Sequence, residues 1–305
     1  MKFLLCSDGS PQAERAVRFG AIIAASCHAE VTLLGIIEQA GNSGPLLESL
    51  KRVQALLADK KVQAELITKA GDPVEEIVQR TEQTRFDLVV IGAVRKQIRG
   101  AFWMSSKTYK IMKAIRPPVL SVAGAVTGLK RILICSAGGR YIDAAVRFTA
   151  TIAPCTGASV TLLHVMPEPP AIYARLSRIE QTPAALLDSP SELGLNLRRE
   201  MERLKSAGVP AEVRLRRGPV LEEILREIHG GNYDLVVTGS ALSGSLRTYV
   251  LGDVTREIVN RADRAVLVVR SDLQALDPFG WLRGWFSRRS AQTATGENKG
   301  QTIGG

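Results

Sequence analysis

The chain contains an internal repeat, and this repeat limits the folds that are open to it. The segment KFLLCS at residues 2–7 recurs as RILICS at residues 131–136, an offset of 129 positions. Further along, DLVV at residues 87–90 recurs unchanged at residues 234–237, an offset of 147 positions. The second copy therefore carries 18 extra residues, in a proline-rich connection after His164. A duplication of this length indicates two copies of one fold, each long enough to bury its own core.

Within each copy, short apolar runs alternate with segments of helical periodicity. In the first copy the pattern predicts strands at residues 2–7, 31–37, 62–69, 86–91 and 118–122, and helices at residues 11–27, 45–58, 73–81 and 102–115. This alternation requires a parallel sheet with crossover helices, and right-handed crossovers make the sheet doubly wound. Aromatic residues are only 5% of the chain, which favours aliphatic cores. The predicted fold is α/β, with two doubly wound, five-stranded parallel-sheet domains of the Rossmann-like kind in tandem.

The repeat also predicts the domain boundaries. We expect a first domain at residues 1–126, a second at residues 127–272, and a tail at residues 273–305 that holds a short aromatic and basic segment before a disordered end. The last strands of the two domains, residues 118–122 and 265–269, are expected to pair about a pseudo-two-fold axis, because pairing removes an exposed sheet edge.

The cysteines and the N-terminus bear on the cellular compartment. Four cysteines without a CxxC spacing indicate neither a zinc ribbon nor a disulfide framework. The apolar run at the start is too short for a signal peptide, and no stretch reaches the roughly 18 apolar residues of a membrane span. We therefore expect a cytoplasmic protein. Cys6 and Cys135 hold equivalent positions inside first strands, where buried packing is expected rather than a redox pair.

Four short segments of the first copy occur in an order that is specific in combination. They are DGS at residues 8–10, GDP at residues 71–73, DLVVIG at residues 87–92 and PPVLSV at residues 117–122. With these segments the chain resembles a tandem universal stress protein, over residues 1–125 and 129–271. The resemblance implies an adenine-nucleotide-binding variant of the doubly wound sheet, whose members commonly dimerise through the last strand.

The resemblance also implies a nucleotide site in the first copy. ATP-binding members carry an Asp after strand one and a Gly-x-x-Gly-(nine)-Gly-Ser/Thr run after strand four. Glycines let a backbone approach phosphate, and a helix N-terminus binds the anion. Asp8 would accept from the base or ribose, and the amides and hydroxyls around Gly92 and Ser106 would hold phosphates. Arg95 and Ser105 stand where the family has glycines, which suggests a narrower cradle. The candidate binding residues of this copy are Asp8, Gly9, Ser10, Ile37, Gly92, Arg95, Ser105, Ser106 and Thr108.

The second copy departs from the family pattern in another way. Ala137 replaces the acid, Leu242 the middle glycine and Asp253 the hydroxyl residue, while Gly239 and Gly252 match and remain candidate binding residues. A carboxylate facing a triphosphate would repel it. The alternative interpretation is that both glycines serve tight turns and Asp253 begins a helix, and this interpretation is favoured for the second copy.

The sequence favours a non-catalytic function, although an enzyme is not ruled out. There is no P-loop, GxSxG or HExxH motif, and the histidines are scattered, so no metal site is predicted beyond a magnesium ion carried by a nucleotide. The leading hypothesis is a stress-response or signalling module that binds ATP or another adenine nucleotide in its first domain. The net charge of +10 favours anionic partners, yet no nucleic-acid motif is visible and none is expected as a partner.

A second hypothesis is a nucleotide-free scaffold. It would recruit a protein or a membrane surface through the basic segment at residues 92–116, or through the tryptophan-containing segment at residues 278–289. The two domains would then form an intramolecular pseudo-dimer, and a homodimer of the whole chain is left open.

Overall fold

A computed structural model describes residues 1–38, 44–93, 95–98, 101–124, 127–136, 142–166, 182–242 and 249–274. Each half alternates strands with helices. The elements of the first half are β1 (Lys2–Ser7), α1 (Pro11–Ser26), β2 (Glu30–Ile37), α2 (Gly44–Asp59), β3 (Ala64–Ala70), α3 (Pro73–Gln83), β4 (Leu88–Gly92), β5 (Arg95–Ile98), β6 (Ala101–Met104), α4 (Ser106–Ala114) and β7 (Val119–Val122). Those of the second half are β8 (Arg131–Ser136), α5 (Asp143–Thr156), β9 (Ser159–Met166), α6 (Pro183–Asp188), α7 (Glu192–Ser206), β10 (Ala211–Arg217), α8 (Val220–Gly230), β11 (Leu235–Leu242), β12 (Tyr249–Val250), α9 (Asp253–Arg261) and β13 (Ala265–Gln274).

One continuous sheet runs through both halves, in the strand order β10-β9-β8-β11-β13-β7-β4-β1-β2-β3. The five strands of each half are parallel, and the halves join where β13 pairs antiparallel with β7. Leu267 lies opposite Leu120 in this pair, and these two residues are equivalents in the repeat. A local two-fold axis therefore passes through them. The α/β prediction is confirmed, and residues 118–122 and 265–269 pair as expected.

Two apolar layers cover the sheet, and the period of two along each strand divides residues between them. In β1, Phe3 and Leu5 pack into the layer that holds α1 and α2, while Leu4 and Cys6 pack into the layer of α3 and α4. The equivalent helices of the second half extend the same two layers. β1 is therefore apolar on both faces, as a central strand of a doubly wound sheet requires.

The segment after β4 differs from the prediction. A helix was expected over residues 102–115, but residues 101–104 form β6, which pairs antiparallel with β5 through Ile98 opposite Ala101. The helix begins at Ser106 because Ser105 adopts an extended conformation and caps it, its Oγ accepting from the Thr108 N–H at 3.2 Å. The aromatic residues before this cap favour a strand over a helix.

The extra residues of the second copy have a structural counterpart. Between β9 and β10 the chain forms α6 and α7, whereas the described residues between β2 and β3 in the first half form α2. Residues 167–181 of this connection lie outside the described part of the chain, as do residues 275–305, which include the tryptophan segment at residues 278–289. Among the described helices, none is both long enough and apolar enough to cross a bilayer.

Candidate functional site

A cavity of about 530 Å³ opens at the carboxyl ends of β1 and β4 in the first half. The neighbours of β1 are β2 on one side and β4 on the other, so the chain winds away from this point in both directions. Ligands of open α/β sheets collect at such a switch point. The cavity volume lies within the range of small-molecule sites.

Six of the predicted residues line this cavity together. They are Asp8, Ser10, Gly92, Ser105, Ser106 and Thr108. Gly9 lies between two of them with a φ of +82°, a conformation that favours glycine, although it is not itself a lining residue. Ile36 lines the cavity where Ile37 was predicted, because alternate residues of β2 face opposite sides of the sheet and Ile37 packs toward the α1 and α2 layer. The backbone of Arg95 belongs to β5, and its side chain lies outside the described part of the chain.

The loop after β1 is ordered by its own side chains. The carboxylate of Asp8 accepts a hydrogen bond from the Ser10 N–H at 2.9 Å. Ser10 in turn caps α1, its Oγ accepting from the Ala13 N–H at 3.2 Å. These two bonds hold the exposed Asp8 carboxylate at the cavity mouth, beside the N-terminus of α1.

The N-terminus of α4 faces the same cavity. Its first residues, Ser106 and Lys107, carry backbone N–H groups that have no acceptor within the helix. The Ser105 cap bonds to Thr108 through both the backbone N–H and the hydroxyl, at 3.2 and 3.0 Å, which fixes this end of the helix. The start of α3 at Pro73 also borders the cavity. Three helix N-termini, each carrying partial positive charge, therefore converge on one space and favour an anion there.

An ion pair crosses the cavity mouth between Lys107 and Glu38, which follows β2. The hydrogen bond to Glu38 raises the pKa of Lys107 above its ordinary value, and the charges of Asp72 and Asp8 act in the same direction. The ammonium group therefore stays protonated throughout the physiological range. Among the described lining side chains, the charged ones are this lysine and the carboxylates of Asp8 and Glu38.

The inner part of the cavity is apolar. Its walls all belong to the apolar layer between the sheet and the helices α3 and α4, and consist of Cys6, Ile36, Ile77, Ile91, Met104 and Ile111. An apolar recess behind a rim of hydroxyls, carboxylates and helix N-termini is typical of a site for a ligand with a flat apolar part and a charged part.

The second half holds one wall of this cavity in place. The backbone N–H of Met104, at the end of β6, donates to Oδ1 of the buried Asn260 in α9 at 2.8 Å. The β6 strand packs on α9, and β12 of the second half packs reciprocally on α4 of the first half. Each half therefore supports the segment that follows strand four of the other.

The comparisons with known proteins agree with this architecture. The model of the universal stress protein family matches residues 1–123 and, a second time, residues 128–270. This chain belongs to the universal stress protein family. No curated protein sequence matches it.

Solved structures of the same fold span both halves of this universal stress protein. A universal stress protein from Archaeoglobus fulgidus is 19% identical, covers 88% of this chain and 98% of its own, and superposes with a TM-score of 0.61. A Pseudomonas aeruginosa protein of unknown function is 14% identical, covers 89% of this chain and 92% of its own, and has a TM-score of 0.62. A shorter Archaeoglobus fulgidus member in complex with dAMP is 14% identical over 46% of this chain and 97% of its own, with a TM-score of 0.33.

Loss of the Asn260 side chain should loosen the cavity wall. In an Asn260→Ala variant the partly buried Met104 N–H loses its acceptor, so we expect the free energy of unfolding to fall by about 1–2 kcal/mol. Urea denaturation measures this loss. Hydrogen exchange at the Met104 amide should accelerate at least tenfold, and an unchanged exchange rate would show that the wall does not depend on the second half.

Gly92 in this stress protein has a packing role that is independent of any ligand. A Cβ at this position would lie 2.7 Å from the Ala13 nitrogen and 2.8 Å from its Cα. The end of β4 therefore packs directly against the backbone of α1. The absence of a side chain brings the N-terminus of α1 up to the sheet, which is what places Ser10 at the cavity.

The equivalent region of the second half is organised differently. Thr255 donates to the Gly239 carbonyl at 3.0 Å and bonds to Thr238 at 3.0 Å, so these hydroxyls are engaged with one another. Gly252 precedes α9 without a side-chain cap, and Asp253 begins the helix with its side chain 91% exposed. The tight-turn interpretation is wrong for Gly239, which lies within β11 opposite Val269, whereas Asp253 begins a helix as expected, directly after Gly252. Ala137 and the side chain of Leu242 lie outside the described part of the chain.

Several lining residues were absent from the sequence prediction. Glu38 follows β2, Pro73 and Ile77 belong to α3, and Ile111 belongs to α4. The residues at the ends of β2 and β3 had a usable signal, because the carboxyl ends of all parallel strands meet at one sheet edge. Within the described residues, no cluster of three or more histidine, cysteine or acidic side chains is arranged to hold a metal ion.

Proposed function

We propose that the first half of this protein binds an adenine nucleotide in the cavity at the ends of β1 and β4, and that it acts as a non-catalytic sensor in a stress response. The observation that carries the proposal is the convergence of three helix N-termini and Lys107 on a recess with apolar walls. Such a recess offers complementary surfaces to a purine ring and to a phosphate group.

The distribution of groups suggests how the ligand would be oriented. The apolar walls would contact the adenine, and Asp8 is placed to accept from a ribose hydroxyl or the exocyclic amine. The phosphate would face the N–H groups at the start of α4, next to Lys107. Since the described charged side chains at this cavity are two carboxylates and one ammonium group, we expect AMP to bind more tightly than ATP when no divalent cation is present.

A sensor fits the cavity better than an enzyme. No histidine is among the described lining residues, Asp8 accepts from the Ser10 N–H, and Glu38 is paired with Lys107. Glu38 is therefore not free to act as a general base, and Asp8 is placed to accept a hydrogen bond from the ligand. The scaffold hypothesis, through residues 92–116 or 278–289, stays a prediction, because Lys107 of the first segment is engaged at the cavity and the second lies outside the described residues.

A matched pair of substitutions at Ser106 tests the phosphate position. In Ser106→Asp a carboxylate faces the bound phosphate, so we expect the affinity for AMP to fall at least tenfold. The fold should tolerate this change, because an acid is favourable at a helix N-terminus and Asp253 occupies the equivalent position in α9. Ser106→Asn has nearly the same shape without the charge and should keep the affinity within about threefold, a change of under 1 kcal/mol.

Isothermal titration calorimetry of the full chain gives the readout. Adenosine, which has no phosphate, should bind both variants equally, and this separates recognition of the base from recognition of the phosphate. Absence of heat with AMP, ADP and ATP at millimolar concentration in the unmodified protein would overturn the proposal. Equal weakening by the Asp and Asn variants would place the phosphate elsewhere.

A further inference from the structure

Two cysteines from different halves meet where α1 packs on α5. Cys27 follows the last residue of α1 and caps it, and Cys155 lies in the last turn of α5. The repeat makes Cys27 equivalent to Thr156, and Cys155 equivalent to Ser26, so the two cysteines lie at the C-terminal ends of two equivalent helices that contact each other. The Cys155 thiol lies within interaction distance of the Cys27 thiol.

The two sulfurs have unlike surroundings. Cys155 is exposed, and its thiol donates to the Thr151 carbonyl at 3.3 Å, whereas Cys27 is half-buried. Burial raises the pKa of the Cys27 thiol, and the hydrogen bond and charge of Cys155 raise it further. Cys155 is therefore the sulfur that an oxidant in solution meets first, and Cys27 is the partner held next to it.

We propose that Cys27 and Cys155 are a redox-sensitive dithiol that forms a disulfide under hydroperoxide stress and locks the two halves together. The Cys155 thiolate attacks one oxygen of hydrogen peroxide, the O–O bond breaks, and a sulfenic acid and water result. The Cys27 sulfur then attacks the Cys155 sulfur, the S–O bond breaks, and a second water leaves. Two thiols lose two electrons and two protons, and one peroxide becomes two molecules of water.

The other two cysteines provide an internal comparison. Cys6 and Cys135 lie inside β1 and β8 and are buried, and burial raises the pKa of both thiols. They belong to strands in separate halves, on either side of the β13 and β7 junction. Neither is expected to react under conditions that link Cys27 to Cys155.

A disulfide at this position would constrain the chain strongly. It would close a loop of 128 residues and tie α1 to α5 across the boundary between the halves. Long loops lose the most entropy in the unfolded state when they are closed. Because the second half also supports the β6 wall of the cavity, the redox state would set how rigidly this wall is held.

Peptide mapping of the full-length protein tests the proposal. The reduced protein is treated with hydrogen peroxide under native conditions, quenched by alkylation, digested without reductant and analysed by mass spectrometry. We expect a linked pair of peptides carrying Cys27 and Cys155, which dithiothreitol separates. Cys6 and Cys135 should remain alkylated. If Cys27 and Cys155 are both alkylated after oxidation, or if Cys155 links only to Cys155 of a second molecule, the proposal fails.

Two single variants strengthen the test. Cys27→Ser should accumulate a sulfenic acid on Cys155 that dimedone traps, whereas the unmodified protein should not. In thermal unfolding, oxidation should raise the midpoint of the unmodified protein by about 5 °C and leave that of Cys155→Ser unchanged. An equal shift in both proteins would show that oxidation acts at another site.

Discussion

Replacing Glu227 with alanine is expected to lower the free energy of unfolding by about 3 kcal/mol, although this residue is far from the candidate cavity. Glu227 belongs to α8, and its side chain is 1% exposed and faces β10. Its Oε1 accepts from Arg214 at 2.6 Å and from the Tyr233 hydroxyl at 2.7 Å, and its Oε2 accepts from Arg216 at 2.6 Å. Alanine would leave the buried tyrosine hydroxyl without this acceptor and the two guanidinium groups without this counter-charge.

The expected loss lies at the lower end of the range for a broken buried ion pair. Arg214 and Arg216 are 38% and 30% exposed, so both can regain water when the carboxylate is removed. Burial alone would raise the pKa of Glu227, but the hydrogen bonds from Tyr233, Arg216 and Arg214 outweigh burial and leave this pKa below its ordinary value. The stabilisation is therefore present above the unfolded pKa of about 4.3 and disappears as the pH falls through the folded pKa.

Urea denaturation at pH 7 measures this loss, and two variants on the same helix serve as controls. Glu227→Gln keeps an acceptor for Tyr233 without the charge and should lose about half as much. Glu222→Ala removes an exposed glutamate from α8 and should change the stability by less than about 0.5 kcal/mol. If Glu227→Ala and Glu222→Ala have the same stability, the network does not stabilise the fold.

The repeat made the fold predictable and left the chemistry of each half open. Offsets of 129 and 147 placed the strands, and with them the pairing of β7 with β13, because the same apolar pattern occurs in both copies. Glu227 is nevertheless equivalent to Arg80, which pairs with Glu65 of β3 at 3.1 Å. The duplicated apolar pattern therefore fixes where a side chain lies. Whether that side chain is acidic or basic depends on the charged residue that it faces on the neighbouring strand.

The segment between β4 and α4 shows where local patterns misled. The prediction of a helix from residue 102 took no account of the glycine between the two short runs that form β5 and β6. A glycine between two such runs is a recognised hairpin signal. The attachment of this hairpin had no local signal, because Met104 bonds to Asn260, 156 positions away. The same holds for the proximity of Cys27 and Cys155, because no local pattern indicates that α1 packs on α5.

The candidate cavity was predictable in outline for a physical reason. Asp8, Ser10, Gly92 and Ser106 follow strands whose carboxyl ends share one edge of the sheet, so a correct strand order brings them together. The ion pair between Lys107 and Glu38 was missed, because it depends on how α4 is oriented after the hairpin. Residues that the strand order places at one sheet edge were therefore easier to predict than contacts that depend on the orientation of a helix after a hairpin.

Replacing Glu200 with glutamine is expected to raise the free energy of unfolding by about 2–3 kcal/mol at pH 8 and to leave it nearly unchanged at pH 4.5. Glu200 lies in α7 with its side chain fully buried. Its pKa is raised to about 7, first by burial and then by the hydrogen bond to Asp143 and the negative charge of Asp143. The hydrogen bond from Glu200 and the nearby charge of Arg199 hold the pKa of Asp143 below its ordinary value, so the shared proton belongs to Glu200.

The sign of the pH dependence follows from this raised pKa. The folded protein binds a proton at Glu200 up to about pH 7, whereas the unfolded chain releases it near pH 4.3. Stability from this group is complete below the unfolded pKa and is lost as the pH rises through the folded pKa. Glutamine keeps the shape and the hydrogen-bond donor, so the fall in stability between about pH 4.3 and pH 7 should vanish in the variant.

Unfolding free energies measured at intervals from pH 4.5 to pH 8.5 test this expectation. Glu200→Val should flatten the profile in the same way, since Val53 occupies the equivalent buried position in the first half. Glu202→Gln removes an exposed carboxylate from the same helix and should leave the profile unchanged. Parallel profiles for the unmodified protein and Glu200→Gln would mean that the carboxyl pair is ionised alike in the folded and unfolded states, and the buried proton would then have to be assigned elsewhere.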